Sequence, residues 1–238
     1  MKAMILAAGE GRRMRPLTEQ TPKPLLTVAG KPLIAWHIEA LAAAGFSEIV
    51  VNAAYLGDQV AHFCGDGSRW GVRIQMSMES SPLETAGGII KALPLLGDAP
   101  FAVLNADVFT DLPMAQLRRI APRESGAHLI MVSNPAHHPE GDFGLHQGRV
   151  VPAQETQQMS LTYSGIGVFH PAFFLRAGER NVSVDTAEPP KLPLRPLLDR
   201  AIATGSVSAE HWTGRWSDIG TPERLAQLDA LLSREARH

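Results

Sequence analysis

Short apolar runs alternate with segments of helical periodicity through the first half of the chain. The runs AMILAA, EIVVNA, FAVLNA and HLIMV are apolar at successive positions, which is typical of parallel strands that helices cover on both faces. The predicted elements, in chain order, span Lys2–Ala8, Pro32–Ala44, Glu48–Ala53, Leu56–Cys64, Val72–Met78, Ala86–Leu96, Phe101–Ala106, Pro113–Ile120 and Ala127–Val132. This alternation predicts an α/β fold built on an open, doubly wound sheet.

The second half of the chain has a different pattern. After Asn134 the runs become shorter and alternate more strictly, as in FGLHQGRVVPA and LTYSGIGVFH, and a proline-rich connector, AEPPKLPLRP, follows. Two further helical stretches begin near Leu194 and Pro222. Strict alternation is typical of strands with one solvated face, so we expect a mixed, mainly parallel sheet flanked by helices. We predict a single domain over residues 1–238.

The composition narrows the class of protein. The 238 residues, 45% of them hydrophobic, are enough to bury a sizeable core. The formal net charge of -2 gives no overall positive field for a nucleic-acid backbone or an anionic membrane surface. The single cysteine, Cys64, excludes an intramolecular disulfide, and no apolar run approaches the ~20 residues of a membrane span. We therefore expect a cytoplasmic protein that binds neither nucleic acid nor membrane.

The segment from Gly9 to Lys23 is the first candidate binding site. It follows the first predicted strand, and ligands of open α/β sheets bind beyond the carboxyl ends of the strands. Its glycines let successive N–H groups converge on an anion, and three arginines and one lysine outnumber its two glutamates. This composition favours a polyphosphate ligand, although a solvated basic loop would look the same. Met14 stands where a dinucleotide fingerprint needs a third glycine, and the Gly-Lys-Ser/Thr of a P-loop is absent.

The longer segment LAAGEGRRMRPLTEQTPKPLLTVAGKPLI resembles the signature of the sugar-1-phosphate nucleotidylyltransferases. That signature reads Leu-Ala-Ala-Gly-x-Gly-x-Arg-Met/Leu-x-Pro-x-Thr, followed by Pro-Lys-Pro and Gly-x-Pro. Its fixed positions are met here by Gly9, Gly11, Arg13, Met14, Pro16, Thr18, Pro22, Lys23, Pro24, Gly30 and Pro32. The runs ETAGGI, LNADV and WSDIGTP follow in the order of that family, so the resemblance extends over nearly the full chain.

The resemblance implies a Rossmann-like nucleotidyltransferase fold in which residues 1–133 mainly bind the nucleotide and residues 134–238 mainly bind the sugar. It also implies a reaction in which a sugar-1-phosphate oxygen attacks the α-phosphorus of a nucleoside triphosphate and pyrophosphate leaves. Positioning and charge neutralisation do most of the work in such displacements. By resemblance, Arg13 would lie on the departing phosphates. Lys23, between two prolines, would lie between the α-phosphate and the incoming sugar phosphate.

Two aspartates are the candidate metal ligands. Asp107 ends the apolar run FAVLNAD, which carries it to the carboxyl edge of a predicted strand, and Asp218 precedes a turn at Gly220. Taken alone, each would favour the role of a turn or helix-cap aspartate. The resemblance implies instead that they are paired ligands of Mg²⁺, which prefers oxygen donors. Asp111 is expected to cap the helix predicted at Pro113.

Nucleobase selection is expected at the edge of the first strand and in the segment MESSPLETAGG. Ala7, Ala8 and Gly9 would present backbone groups to a pyrimidine, and Gly88 would permit close approach of the backbone. Glu79 falls where related thymidylyl enzymes carry a glutamine. A side-chain oxygen there would accept a hydrogen bond from uracil N3–H, a donor that neutral cytosine lacks. The alternative for Glu79 is an exposed carboxylate at the end of a strand.

The sugar is expected to contact Asn105 and the loops of the second half of the chain. Asp142 and Glu155 are candidate acceptors from its hydroxyl groups, and Gly144 and Gly165 are candidate sites of close backbone approach. The Glu-Lys-Pro run of the family, whose lysine meets the sugar phosphate, is replaced here by Glu-Thr-Gln from residue 155. Another group must therefore balance the charge of the sugar phosphate.

The short chain and the detail of ETAGGI look most like family members that transfer a uridylyl group from UTP to N-acetylmuramate 1-phosphate in cell-wall recycling. Glucose-1-phosphate thymidylyl transfer, mannose-1-phosphate guanylyl transfer and cytidylyl transfer to a phosphorylated alcohol are the alternatives with the same chemistry. A non-catalytic nucleotide- or sugar-binding module is an alternative from another class, and it would predict lost catalytic positions. The sequence is compatible with a monomer or a dimer.

Overall fold

The computed structural model describes residues 1–155, 160–175 and 189–235. Thr156 and Gln157, which stand in place of the family's Lys-Pro, lie outside the described residues, as does the side chain of Glu155. The described chain is organised around a nine-stranded sheet and two small two-stranded ribbons.

Thirteen strands are present in the described residues. They are β1 (Ala3–Leu6), β2 (Thr27–Val28), β3 (Lys31–Pro32), β4 (Glu48–Ala53), β5 (Arg73–Met78), β6 (Phe101–Asn105), β7 (Val108–Thr110), β8 (Ala127–Val132), β9 (Phe143–His146), β10 (Arg149–Pro152), β11 (Thr162–Phe169), β12 (Val207–Trp212) and β13 (Trp216–Asp218). The central sheet has the order β5-β4-β1-β6-β11-β8-β12-β10-β9. Only β10 and β11 run against the other strands of this sheet. The predicted mixed, mainly parallel sheet is therefore confirmed.

Helices cover both faces of this sheet. They are α1 (Leu33–Ala43), α2 (Gly57–Cys64), α3 (Glu84–Leu96), α4 (Ala172–Leu175) and α5 (Arg195–Ala203), whereas α6 (Pro222–Glu235) packs in a third apolar cluster with β2. Met4 and Ile5, neighbours on β1, are both fully buried, and they belong to two different apolar clusters. Helices α1 and α2 pack in the cluster of Ile5, and α3, α4 and α5 pack in that of Met4. Adjacent residues of a strand point to opposite faces, which explains why the predicted runs are apolar at every position.

The segment predicted as a helix at Pro113–Ile120 is a run of 3₁₀ turns, Met114–Arg119. Its buried residues, Met114 and Leu117, are three positions apart, which suits the three residues per turn of a 3₁₀ helix. No side chain caps the run, so the capping prediction for Asp111 is wrong. Asp111 instead accepts a hydrogen bond from Trp212 Nε1 at 3.2 Å, because β12 and β13 bring donors to that side of the loop.

The buried His37, on α1, is expected to make the stability of the fold depend on pH. It is 3% exposed, its Nε2 has no hydrogen-bond partner among the described residues, and burial lowers its pKa from 6.5 to about 4. The unfolded chain therefore binds a proton near pH 6.5 that the folded chain does not bind until about pH 4. We expect the free energy of unfolding to fall by roughly 3 kcal/mol from this group as the pH falls through that interval.

Urea denaturation at a series of pH values measures this effect, with His37→Gln as the comparison. The variant should lack this part of the pH dependence, because glutamine does not titrate. Equal pH dependence in both proteins would show that His37 is not its source.

Candidate active site

A cleft of about 530 Å³ opens at the carboxyl ends of three neighbouring strands. Leu6 of β1, Asn52 of β4 and Asn105 of β6 all lie in its wall. The predicted site residues that line it are Ala7, Ala8, Gly9, Gly11, Lys23, Asn105 and Asp107. Parallel strands bring their carboxyl ends to one edge of the sheet, and this explains why residues far apart in the sequence meet here.

The loop after β1 is held in a compact shape by its own contacts. Three 3₁₀ turns follow one another, and Gly11, just before the first of them, has a φ of 63°. A Cβ at Gly11 would lie 2.9 Å from Thr18 Cγ2, so only glycine fits without displacing that side chain. The Thr18 hydroxyl also donates to the Gly11 carbonyl oxygen at 2.9 Å. The loop therefore folds back on itself and places Lys23 beside the cleft.

Met14 anchors this loop to the end of the chain. Its side chain is fully buried in an apolar cluster that also contains Ile219 and the α6 residues Leu228 and Leu232. Ile219 directly follows Asp218, the second candidate metal ligand. The packing of Met14 thus joins the basic loop to the segment that carries Asp218.

Lys23 and Asp107 form an ion pair in the wall of the cleft. The Lys23 side chain is 11% exposed and the Asp107 side chain 36% exposed. Asp107 lies two residues after the end of β6, as its place after an apolar run predicts. A largely buried ammonium beside a carboxylate at this edge is suited to contact with phosphate oxygens.

Asp218 is brought to Asp107 by strand pairing. Strand β13 pairs antiparallel with β7, and the N–H of Ile219 donates to the carbonyl oxygen of Asp107 at 2.7 Å. The Asp218 carboxylate accepts from Arg224 Nη1 at 2.8 Å and lies 3.0 Å from His137 Nε2. Asp218 is not itself part of the lining of the main cleft. The described residues contain no group of three or more His, Cys, Asp or Glu side chains that could hold a metal.

The neighbouring arginines of the loop have different positions. Arg12 lines the cleft and forms hydrogen bonds with Glu10, the one from Nη2 to Oε1 being 3.2 Å long. The hydrogen bond from Arg12 is the main cause that lowers the pKa of Glu10. Arg13 is exposed and is not part of the lining, and it has no ion pair among the described residues. The catalytic role of Arg13 stays a prediction.

Glu79 is buried, with 6% of its surface exposed, so the alternative of an exposed carboxylate is wrong. Its Oε1 accepts from Asn52 Nδ2 at 2.6 Å, and its Oε2 accepts from the N–H of Leu83 at 2.9 Å. Gly88 packs against this pair, and a Cβ there would lie 2.7 Å from both Asn52 Nδ2 and Glu79 Oε1. Glu79 and Gly88 therefore lie behind the wall that Asn52 forms, and neither is part of the cleft lining.

The predicted sugar-binding residues are divided between two places. Gly165, with a φ of 80°, packs against Asn105 beside the main cleft, and a Cβ there would lie 2.6 Å from Asn105 Nδ2. Asp142 lines a second cavity of about 460 Å³ together with Arg195, and it accepts from the N–H of Tyr163 at 2.8 Å. Gly144 is a buried residue of β9. The structure thus joins Asn105 with Gly165 and leaves Asp142 outside the main cleft.

Asn52 and Lys191 are among the residues of the cleft wall that sequence reasoning did not assign to the site. Asn52 sits inside the apolar run EIVVNA, and a polar side chain in such a run was the available signal. Lys191 reaches the wall because its segment packs on the start of α3, where the N–H groups of Ala86 and Gly87 donate to the Leu192 carbonyl oxygen. No local pattern indicates that contact.

In the part of the chain that the structure describes, none of the helices is both long enough and apolar enough to cross a bilayer. The chain matches the nucleotidyl transferase family over residues 2–235. It is 47% identical to the N-acetylmuramate alpha-1-phosphate uridylyltransferase of Neisseria meningitidis over 235 residues, which covers 97% of this chain and 98% of the relative. It is 31% identical to the mannose-1-phosphate guanyltransferase beta-B of Xenopus laevis, covering 100% of this chain but 66% of that relative.

A solved structure supports the assignment of the fold. A chain from Bacillus anthracis, described as a glucose-1-phosphate thymidylyltransferase in complex with a sucrose, superposes with a TM-score of 0.81 at 21% sequence identity. The superposition covers 98% of this chain and 95% of the other. The fold, the full-length match to the family and the Neisseria relative together show that this chain belongs to the nucleotidyl transferase family.

Proposed function

We propose that this chain is a Mg²⁺-dependent enzyme that transfers a uridylyl group from UTP to N-acetylmuramate 1-phosphate. An oxygen of the sugar phosphate forms a bond to the α-phosphorus of UTP, and the bond from that phosphorus to the oxygen bridging to the β-phosphate breaks. The products are UDP-N-acetylmuramate and pyrophosphate, and we propose that the reaction serves peptidoglycan recycling in the cytoplasm. The choice of substrates is supported by the Neisseria relative, which is more similar to this chain than the guanyltransferase from Xenopus laevis.

The observation that carries the proposal is the charge arrangement at the cleft. Lys23 pairs with Asp107 in the wall, and Asp218 is fixed next to Asp107 by the backbone hydrogen bond from Ile219. Two phosphate groups that approach each other need positive charge between them. Lys23 is held in place by the loop and supplies this charge to the α-phosphate and to the incoming sugar phosphate.

The other residues of the loop are proposed to bind the triphosphate. The N–H groups around Gly9 and Gly11 face the phosphates, as in other glycine-rich loops that bind anions. Arg13 binds the departing pyrophosphate with its planar guanidinium group. Ala7 and Ala8 contact the nucleobase at the end of β1. In this proposal residues 1–133 provide most of the nucleotide site, and residues 134–238 provide most of the sugar site.

Asp107 and Asp218 are the residues that would hold Mg²⁺. Magnesium is commonly bound by one or two carboxylates, with substrate phosphates and water completing its coordination. Two aspartates without a third side-chain ligand among the described residues fit this pattern. When bound, the ion supplies charge neutralisation to the reacting phosphates.

A pyrophosphate-release assay tests the proposal directly. Each of the four common nucleoside triphosphates, together with dTTP, is combined with N-acetylmuramate, glucose and mannose 1-phosphates, with Mg²⁺ or with excess chelator. We expect the greatest release from UTP with N-acetylmuramate 1-phosphate, and its loss in chelator. The reason for the loss is that the repulsion between the phosphates is then no longer balanced.

Other outcomes would replace the proposal with a specific alternative. Preference for dTTP with glucose 1-phosphate, or for GTP with mannose 1-phosphate, would assign the corresponding transfer. Turnover of CTP without any sugar phosphate, on a phosphorylated alcohol, would assign the cytidylyl reaction. Activity that persists in chelator would contradict the metal requirement, and binding without turnover of any pair would indicate a non-catalytic module.

A further inference from the structure

Asn52 is a side chain of the cleft wall whose orientation is fixed from both ends. It is 3% exposed and lies near the end of β4. The backbone N–H of Ala7 donates to Asn52 Oδ1 at 2.9 Å, and Asn52 Nδ2 donates to Glu79 Oε1 at 2.6 Å. A backbone N–H can only donate, and both side-chain oxygens of Glu79 accept hydrogen bonds in this structure. These two neighbours therefore determine which end of the amide is oxygen and which is nitrogen.

The carboxylate of Glu79 is itself held firmly. Its second oxygen accepts from the N–H of Leu83, at the start of α3, at 2.9 Å. Helix α3 approaches so closely at Gly88 that a Cβ there would lie 2.7 Å from both members of the Asn52–Glu79 pair. The backbone of α3 at Gly88 therefore closes this side of the pair. The amide of Asn52 thus keeps one orientation in the wall.

Each amide nitrogen of asparagine carries two hydrogens, and Glu79 uses one of them. The other has no partner among the described residues, and Asn52 lines the cleft. We infer that Asn52 donates this hydrogen bond to the carbonyl oxygen at C4 of the nucleobase, and that Glu79 is a positioning residue that acts through Asn52. This inference rests on the proposed use of UTP. Uracil has a carbonyl at C4, whereas cytosine has an amino group there, which would meet another donor.

Glu79→Gln should disturb this selection without changing the shape of the site. If the glutamine oxygen faces Asn52, its amino group faces the N–H of Leu83. If the glutamine is turned round, its amino group faces Asn52 Nδ2. In either orientation two donors meet, so the hold on Asn52 is weakened.

The double variant N52D/E79Q reverses the pattern of donors and acceptors with side chains of the same shape. The introduced aspartate would still accept from the N–H of Ala7, and it would also accept from the amino group of the introduced glutamine. The oxygen of that glutamine would still accept from the N–H of Leu83. These three contacts are matched again, but the wall now presents an acceptor to the nucleobase. An acceptor suits the amino group of cytosine.

The test measures the dissociation constants of UTP and CTP with Mg²⁺ and without any sugar phosphate, by isothermal titration calorimetry. The kcat/KM ratio for the two nucleotides is measured with N-acetylmuramate 1-phosphate. Wild type should prefer UTP, and E79Q should lower the UTP/CTP ratio by about tenfold, the scale of one mismatched buried hydrogen bond. N52D/E79Q should lower the ratio further and favour CTP. If E79Q unfolds, the double variant, in which these three hydrogen bonds are matched, still gives the answer.

Glu48→Gln is the matched control. Glu48 is the first residue of β4, the strand that carries Asn52, and it lies at the end of that strand away from the cleft. Its carboxylate pairs with Lys2 at 3.2 Å. The Glu48→Gln variant should leave the UTP/CTP ratio unchanged. An unchanged ratio in E79Q and a retained preference for UTP in the double variant would overturn the inference, even if uridylyl transfer is found. Equal binding of UTP and CTP by wild type would also overturn it. If the protein binds UTP selectively and the variants change that selectivity, but no turnover is found, the inference about Asn52 is supported and the proposed function is contradicted.

Discussion

Asp107→Ala is expected to lower kcat by roughly 10² to 10³ or more, the scale seen when one electrostatic group of an active site is removed. The substitution deletes a proposed metal ligand and also leaves the Lys23 ammonium, which is 11% exposed, without its carboxylate partner. Pyrophosphate release at saturating substrates and several Mg²⁺ concentrations measures the effect. Asp107→Asn should show a similar loss, because it keeps the shape of the side chain but removes its charge.

Asp111→Ala is the control for this prediction. Asp111 is exposed and lies four positions further along the chain, outside the lining of the cleft. Its replacement should leave kcat unchanged. Near-full turnover by Asp107→Ala would show that this carboxylate neither binds the metal nor organises Lys23 for the reaction.

Arg13→Ala is also expected to lower kcat by roughly 10² to 10³, because an arginine on the departing phosphates stabilises charge that develops as the bond breaks. Stability should change by only about 0.5 kcal/mol, since the side chain is exposed. The same assay at saturating substrates measures kcat, and thermal unfolding measures stability. This prediction comes from the signature of the family, whereas the structure places Arg12 in the cleft wall.

The variants Arg12→Ala and Arg15→Ala test which arginine of the loop contacts the departing phosphates. Arg15 is exposed and outside the cleft lining, so its replacement should leave turnover unchanged. A loss of kcat in Arg12→Ala with near-full turnover in Arg13→Ala would transfer the role to Arg12. That result would mean that the loop keeps the conformation seen here when the triphosphate binds.

The features predicted correctly are those that local patterns determine. Runs that are apolar at every position indicate strands covered on both faces, and the sheet has this form. The position of Asp107 after such a run predicted that it lies at the carboxyl edge of the sheet, and in the structure it lines the cleft there. The segment from Gly9 to Lys23 carries a signature long enough to identify its family without any tertiary information.

The features that were missed depend on contacts between distant segments. Asn52 becomes a defined donor only because Glu79, 27 positions later, and the N–H of Ala7 both contact it. Lys191 reaches the cleft through the packing of its segment on α3. The turn that places Arg12 rather than Arg13 in the wall is a short 3₁₀ turn, and the sequence pattern does not fix which of its side chains faces the ligand.

The pairing of β7 with β13 has a consequence for the newly made protein. Asp218 stands 111 positions after Asp107, so a ribosome adding about 5 to 20 residues per second exposes the second aspartate roughly 6 to 20 s after the first. During that interval the nascent chain holds the glycine-rich loop and Lys23 but lacks the partner strand of β7. Met14 also lacks its apolar partners Ile219, Leu228 and Leu232 until then, so the second carboxylate and the anchor of the basic loop are both supplied only when synthesis is nearly finished.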